Sequence, residues 1–411
     1  MSPKRNRPIR PSSLSSRQSG QRHRGWLRRW RCGLLPRLLL LLPLAPALAG
    51  IAGTTPTATA ADDIPVLEVS RLTTLDTLLE RLADRRVVYV GEVHDRYEDH
   101  LSQFAIIRGL HQQGAPLAIG MEFFQQPFQE VLDDYVAGRI DEAEMLRRSE
   151  YFERWRFDYR LYRPLLTYAH THGLPVIALN LPTELTRKVG AGGLEALNEI
   201  ERAQLPTSID RSDAEYRAHL EAIFAQHPQG PDADFERFLE VQLLWDEGMA
   251  ERAATFLQTH PDHRLVVLAG AGHIEYGRGI PNRLARRLAV PAATVLNGSQ
   301  RLVTPDLADF LLFPRAVSLP ASGLLGVMLE TGAEGAGIGV QGFAEVSGAR
   351  DAGIETGDRI VQIGTTEIAR YADIRIALLD SSPGDTLPVG VLRKARRGRQ
   401  EERLDFEVRL H

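Results

Sequence analysis

Short β-branched apolar runs alternate with longer stretches whose apolar residues recur every three or four positions, from about residue 65 to 315. Arg86-Val87-Val88-Tyr89-Val90 and residues 117–121, 175–180 and 265–269 read as strands, apolar on both faces like those of a buried parallel sheet. Between them, residues 97–113 carry Leu101, Phe104, Ile107 and Leu110 at helical spacing. Further helical stretches run up to Tyr135, over 161–170, through the mostly polar 184–225, and over 235–258. The last sets Phe238, Trp245, Met249, Ala253 and Phe256 on one stripe, read here as core packing. Strands separated by helices of this length imply right-handed crossovers. The expected fold is α/β, a mainly parallel sheet flanked by helices.

The pattern changes after residue 315. Glycine becomes dense, and short strands at 324–329, 359–363 and 387–392 flank one helix at 371–379. A small β-rich domain over 321–411 is expected, joined to an α/β domain over 65–315 near residues 315–322.

Two of the strands end alike. The first runs into Gly91-Glu92-Val93-His94 and a later one into Gly270-Ala271-Gly272-His273. Glycine permits a sharp turn, and the carboxyl ends of strands are where open α/β sheets place their sites. Glu92 and His94 are two apart, so in extended chain they share a side. Glu122 is expected to close the strand at 117–121. Two imidazoles with Glu92 and Glu122 make a candidate set for a divalent transition metal, with a spare glutamate as general base. The plainer alternative is that these groups cap helices or bond to backbone. His100, inside the first helix, is read as a second-layer or surface residue.

The stretch Tyr151-Phe152-Glu153-Arg154-Trp155-Arg156-Phe157-Asp158-Tyr159-Arg160-Leu161-Tyr162 is dense in rings for a chain that is 7% aromatic. Flat rings between arginines suit a flat acidic ligand, and tyrosinate can ligate haem iron. Packing between helix and sheet is the competing reading for each ring.

Charge distribution narrows the partners. The chain carries 49 Lys/Arg against 53 Asp/Glu, and residues 1–49 hold 11 of the basic residues and no acidic one. The remainder is therefore acidic by 15 charges, which argues against nucleic acid. The basic start followed by an apolar run at 38–49 and Ala47-Leu48-Ala49 reads as an export signal over 1–49, with a Thr/Ala-rich lead-in over 50–64. A periplasmic or envelope location follows as an expectation. The single cysteine, Cys32, precedes the apolar run, so no cysteine stands after it to accept lipid.

Five ordered motifs resemble the ChaN-like haem-uptake family, in the wider group that includes Tiki metalloproteases and erythromycin esterases. They are Val90-Gly91-Glu92-Val93-His94-Asp95, Gly120-Met121-Glu122-Phe123-Phe124, Val176-Ile177-Ala178-Leu179-Asn180-Leu181-Pro182, Trp245-Asp246-Glu247-Gly248-Met249-Ala250 and Ala269-Gly270-Ala271-Gly272-His273. The resemblance implies haem as ligand, held by a tyrosine for which Tyr159, Tyr162 and Tyr276 are the candidates. Its Tiki side implies instead a metal-dependent hydrolase using His94 and His273 with acidic partners. Residues 321–411 are similar to a PDZ domain: Leu324-Leu325-Gly326-Val327 matches the carboxylate-binding loop, and Ala349-Arg350-Asp351-Ala352-Gly353-Ile354 opens its turn motif. This implies that Leu325, Gly326 and Val327 receive a peptide C-terminus, beside Ile374 or Leu378. The expected partners are haem, the C-terminus of an envelope protein and, as a homodimer, a second copy of the chain.

Overall fold

A computed structural model describes residues 68–226, 234–330, 336–394 and 401–411; the expected signal and lead-in lie outside them. The first domain runs α1 (Leu75–Leu82), β1 (Val87–Glu92), α2 (Tyr97–Gln112), β2 (Leu117–Gln125), α3 (Gln129–Val136), α4 (Glu142–Arg148), α5 (Tyr151–Arg154), α6 (Arg163–His172) and β3 (Val176–Asn180). It continues through α7 (Thr183–Gly192), α8 (Glu199–Arg202), α9 (Ala214–Gln226), α10 (Phe235–Thr259), β4 (Arg264–Gly270), α11 (Ile280–Arg287), β5 (Ala292–Asn297) and β6 (Phe310–Leu312).

The strands form one six-stranded parallel sheet in the order β3-β2-β4-β1-β5-β6. Strand side chains alternate between faces. Val88 and Val90 enter a core with Ile106, Leu110, Leu132 and Leu165, whereas Val87 and Tyr89 enter a second core with Ala250, Ala253 and Leu284. Helices therefore cover both faces, which explains why every residue of β1 and β2 is buried. Local signals fix the helix ends: the Asp234 carboxylate accepts from the N–H groups of Glu236 and Arg237 to start α10, and Gly173 ends α6 in the left-handed region at φ 66°.

Two expectations need correction. The second strand extends to Gln125, so Glu122 lies inside β2 rather than at its close; its pairing with β4 ends at Met121. The sheet also has two strands, β5 and β6, beyond those read from the sequence. β5 has six residues, five of them buried, and β6 has three, half-buried throughout.

The small domain comprises β7 (Val327–Leu329), β8 (Ile338–Phe343), α12 (Gly348–Ala352), β9 (Arg359–Ile363), β10 (Thr366–Glu367), α13 (Tyr371–Ala377), β11 (Thr386–Arg393) and β12 (Glu402–Arg409). Its sheet runs β12-β11-β9-β8-β7, with β10 on β9. The strand expected at 324–329 is shorter because Gly326, at φ 73°, breaks the extended chain. Helix α13 belongs to two cores. Ala372 is buried with the α/β domain, while Ile374 and Leu378 pack inside the small domain. An ion pair between Arg147 and Asp373 at 2.8 Å ties the same helix to α4.

Candidate functional site

β1 and β4 are neighbours in register, with Gly91 opposite Ala269 and Glu92 opposite Gly270. Their loops leave the sheet side by side, and this brings His94 close to the His273 strand end. A Cβ on Gly270 would lie 2.9 Å from His94 Cε1 and 3.2 Å from its Nε2. Only glycine lets the imidazole lie against β4 there.

The His94 side is built on Glu92. Glu92 Oε1 and His94 Nδ1 lie 2.8 Å apart, and the Tyr162 hydroxyl donates to the same oxygen over 3.2 Å. The other oxygen accepts from Gln103 Nε2 at 3.0 Å and faces His100 Nδ1 at 3.1 Å. Burial alone would raise the Glu92 carboxyl, but the charge and hydrogen bonds of His100 and the contact with His94 outweigh it and pull it down to about 2. His94 is in turn raised: burial opposes its charge, but the Glu92 hydrogen bond and the Glu122 and Glu92 charges prevail. Its side chain keeps 30% exposure. Trp155 stands edge-on at 4.9 Å and Phe157 tilts against it at 4.8 Å.

The His273 side borrows its carboxylate from α10. Asp246 Oδ1 lies 2.6 Å from His273 Nδ1, and its other oxygen accepts from the Tyr216 hydroxyl. The Arg283 guanidinium sits 4.1 Å above the Tyr216 ring and 3.3 Å from Glu247. Nε2 of His273 faces Glu122 Oε1 at 3.6 Å, while Glu122 Oε2 accepts the Gly270 N–H at 2.7 Å. Burial works against His273 protonation, yet the Asp246 and Glu122 charges raise it to about 9.

The structure thus gathers His94, His273 and Glu122 but turns Glu92 away, since His94, His100, Gln103 and Tyr162 occupy its oxygens. Among the described residues no group of three or more His, Cys, Asp or Glu is arranged to hold a metal ion. Asp246, quoted in a motif but assigned no role, is the residue that sequence reasoning missed. His100 takes the supporting place read for it.

The tyrosines separate. Tyr159 and Tyr162 are fully buried; Tyr159 donates to Glu142 at 2.9 Å, and Tyr162 accepts from Trp155 Nε1 at 3.0 Å. Burial holds both hydroxyls well above their usual range, which opposes a tyrosinate at either. Tyr276 is half-buried and left-handed at φ 58°. The Arg278 guanidinium lies 5.2 Å from its ring centre and His219 meets it edge-on at 5.4 Å. In the small domain, Leu325, Gly326 and Val327 line one groove with Ile374 and Leu378.

The sequence pattern of the family described as haem-binding uptake, Tiki superfamily, ChaN matches residues 78–284, and that of the PDZ domain matches residues 323–409. Protein RETICULATA-RELATED 5, chloroplastic, of Arabidopsis thaliana is 28% identical over 268 residues, 58% of this chain. The chain spans only 35% of that plant protein. A structure of cofacial haem binding to ChaN of Campylobacter jejuni is 18% identical, covering 59% of this chain and 93% of that one at a TM-score of 0.49. The HtrA-type protease AlgW with a decapeptide is 27% identical over 22% of this chain and 30% of its own, at a TM-score of 0.19.

Proposed function

The chain belongs to the ChaN haem-binding uptake family of the Tiki superfamily and carries a PDZ domain; from this premise we propose that it is an exported envelope protein that binds haem and serves haem or iron uptake, its PDZ groove taking a partner's C-terminus. The family match over 78–284 carries the reading. The basic, then apolar, first 49 residues support export.

Of the three tyrosines, Tyr276 fits an iron ligand best. It is the one not fully buried, and its strained backbone is the kind that persists at sites. Haem bound there would supply the iron centre as cargo, and Tyr276 would hold it. Protein isolated from its native envelope should carry a haem absorbance band, and haem-free protein from haem-replete cells would refute the reading.

A second reading, a metal-dependent hydrolase, is favoured by one observation. Both imidazoles have Nδ1 fixed by a carboxylate, the arrangement that orients histidine ligands. Elemental analysis tests it: zinc, manganese or iron should be present and lost in both His94→Ala and His273→Ala.

A further inference from the structure

The PDZ groove, about 570 Å³, is walled partly by the α/β domain. Phe152, Asp158 and Arg160 line it together with Leu325 and Ile374. These three belong to the segment that also builds the wall of the His94 site, where Trp155 and Phe157 touch the imidazole. Two non-glycine residues are held in the left-handed region here, Glu150 just before the segment at φ 52° and Arg156 within it at φ 67°. Such residues hold only where their surroundings enforce the conformation. The surroundings here include α13, whose Arg375 guanidinium lies 5.3 Å from the Phe152 ring centre.

We propose that a peptide C-terminus bound in the PDZ groove is sensed at the His94 site through the Phe152–Arg160 wall, so that the PDZ domain regulates the α/β site instead of only tethering the protein. The proposal rests on the peptide-binding reading of the groove and is independent of haem. β7 is an edge strand, open for an added strand, and Gly326 turns its loop at φ 73°. A side chain at Gly326 would meet the Val346 carbonyl at 2.6 Å, so the loop depends on glycine. Arg375 has no ion-pair partner within 4.0 Å among the described residues, though its guanidinium donates to the Tyr371 hydroxyl at 3.1 Å; Asp158 is held by Arg160 at 2.6 Å. The groove therefore presents a guanidinium that no carboxylate holds in an ion pair, and the occupant is a peptide with a free carboxyl terminus, an apolar last residue and an acidic residue upstream. Because α13 packs into both cores, a peptide wedged between β7 and α13 presses on α5 and its rings.

The test uses the full chain without haem, labelled with 5-fluorotryptophan, and a fluorescein-tagged acidic peptide ending in valine. The Trp155 fluorine resonance is assigned by its loss in Trp155→Phe. Anisotropy should saturate with the free carboxylate and not with the C-terminal amide. The Trp155 resonance should move along the same saturation curve while Trp245 stays fixed. Arg375→Gln should weaken the acidic peptide several-fold and spare a neutral one. Saturable peptide binding with an unmoved Trp155 resonance overturns the coupling and leaves the groove reading standing. Absence of binding, or equal binding of the amide, overturns the groove reading and the coupling with it.

Discussion

The two histidines at adjacent strand ends solve one problem in different ways. Each has its Nδ1 beside a carboxylate, His94 by Glu92 on its own strand and His273 by Asp246 on α10. The Glu92 carboxylate is shared with His100, Gln103 and Tyr162, and its histidine stays partly open between two rings. The Asp246 side is closed, with Tyr216 and Arg283 stacked behind it and His273 only 13% exposed. An open imidazole suits contact with a ligand, whereas a closed one holds charge and position.

The largest effect should expose this difference in stability. Asp246→Ala leaves the Tyr216 hydroxyl and His273 without their buried acceptor and should cost about 3–5 kcal/mol in denaturant unfolding. His94→Ala, removing a partly exposed ring, should cost roughly 1 kcal/mol. Equal costs would erase the distinction between the two sides.

The pH limbs should differ next. His273 is raised in the fold, so its contribution is full below its ordinary value of 6.5 and is lost as pH climbs through about 9. Glu92 is lowered, so its contribution is present above its ordinary 4.5 and is lost as pH falls toward about 2. Each shift corresponds to on the order of 3 kcal/mol. Unfolding measured across pH should show the alkaline loss flattened in Asp246→Asn and the acid loss flattened in Glu92→Gln. A swap of the two limbs between these variants contradicts the assignment.

A smaller effect belongs to the ring wall. Trp155→Phe removes the donor to Tyr162 and should cost about 1 kcal/mol, seen in thermal unfolding as a modest drop. No drop would mean that the Tyr162 hydroxyl gains nothing from the indole.

These differences also mark what the chain discloses by itself. Glu92 and His94 could be paired from their spacing, because a strand puts i and i+2 on one side. Asp246 could not be matched to His273 across 27 positions, because only the packing of α10 on β4 brings them together. The surroundings of Glu92 are non-local for a related reason: three of the groups that occupy its oxygens, His100, Gln103 and Tyr162, come from α2 and the turn before α6. Strands 117–121 and 265–269 were readable from continuous apolar runs, while β6, three half-buried residues, gives no such signal. Burial of Tyr159 and Tyr162 likewise depends on α4 and α5 closing over them, which no local pattern states.

Haemin titration of the purified chain, followed at the Soret band, tests the central claim most directly. The account predicts a saturable shift that weakens at least tenfold in affinity in Tyr276→Phe and persists in Tyr162→Phe. A shift lost in Tyr162→Phe but kept in Tyr276→Phe would contradict the ligand, and no shift at any haemin ratio would contradict haem binding itself.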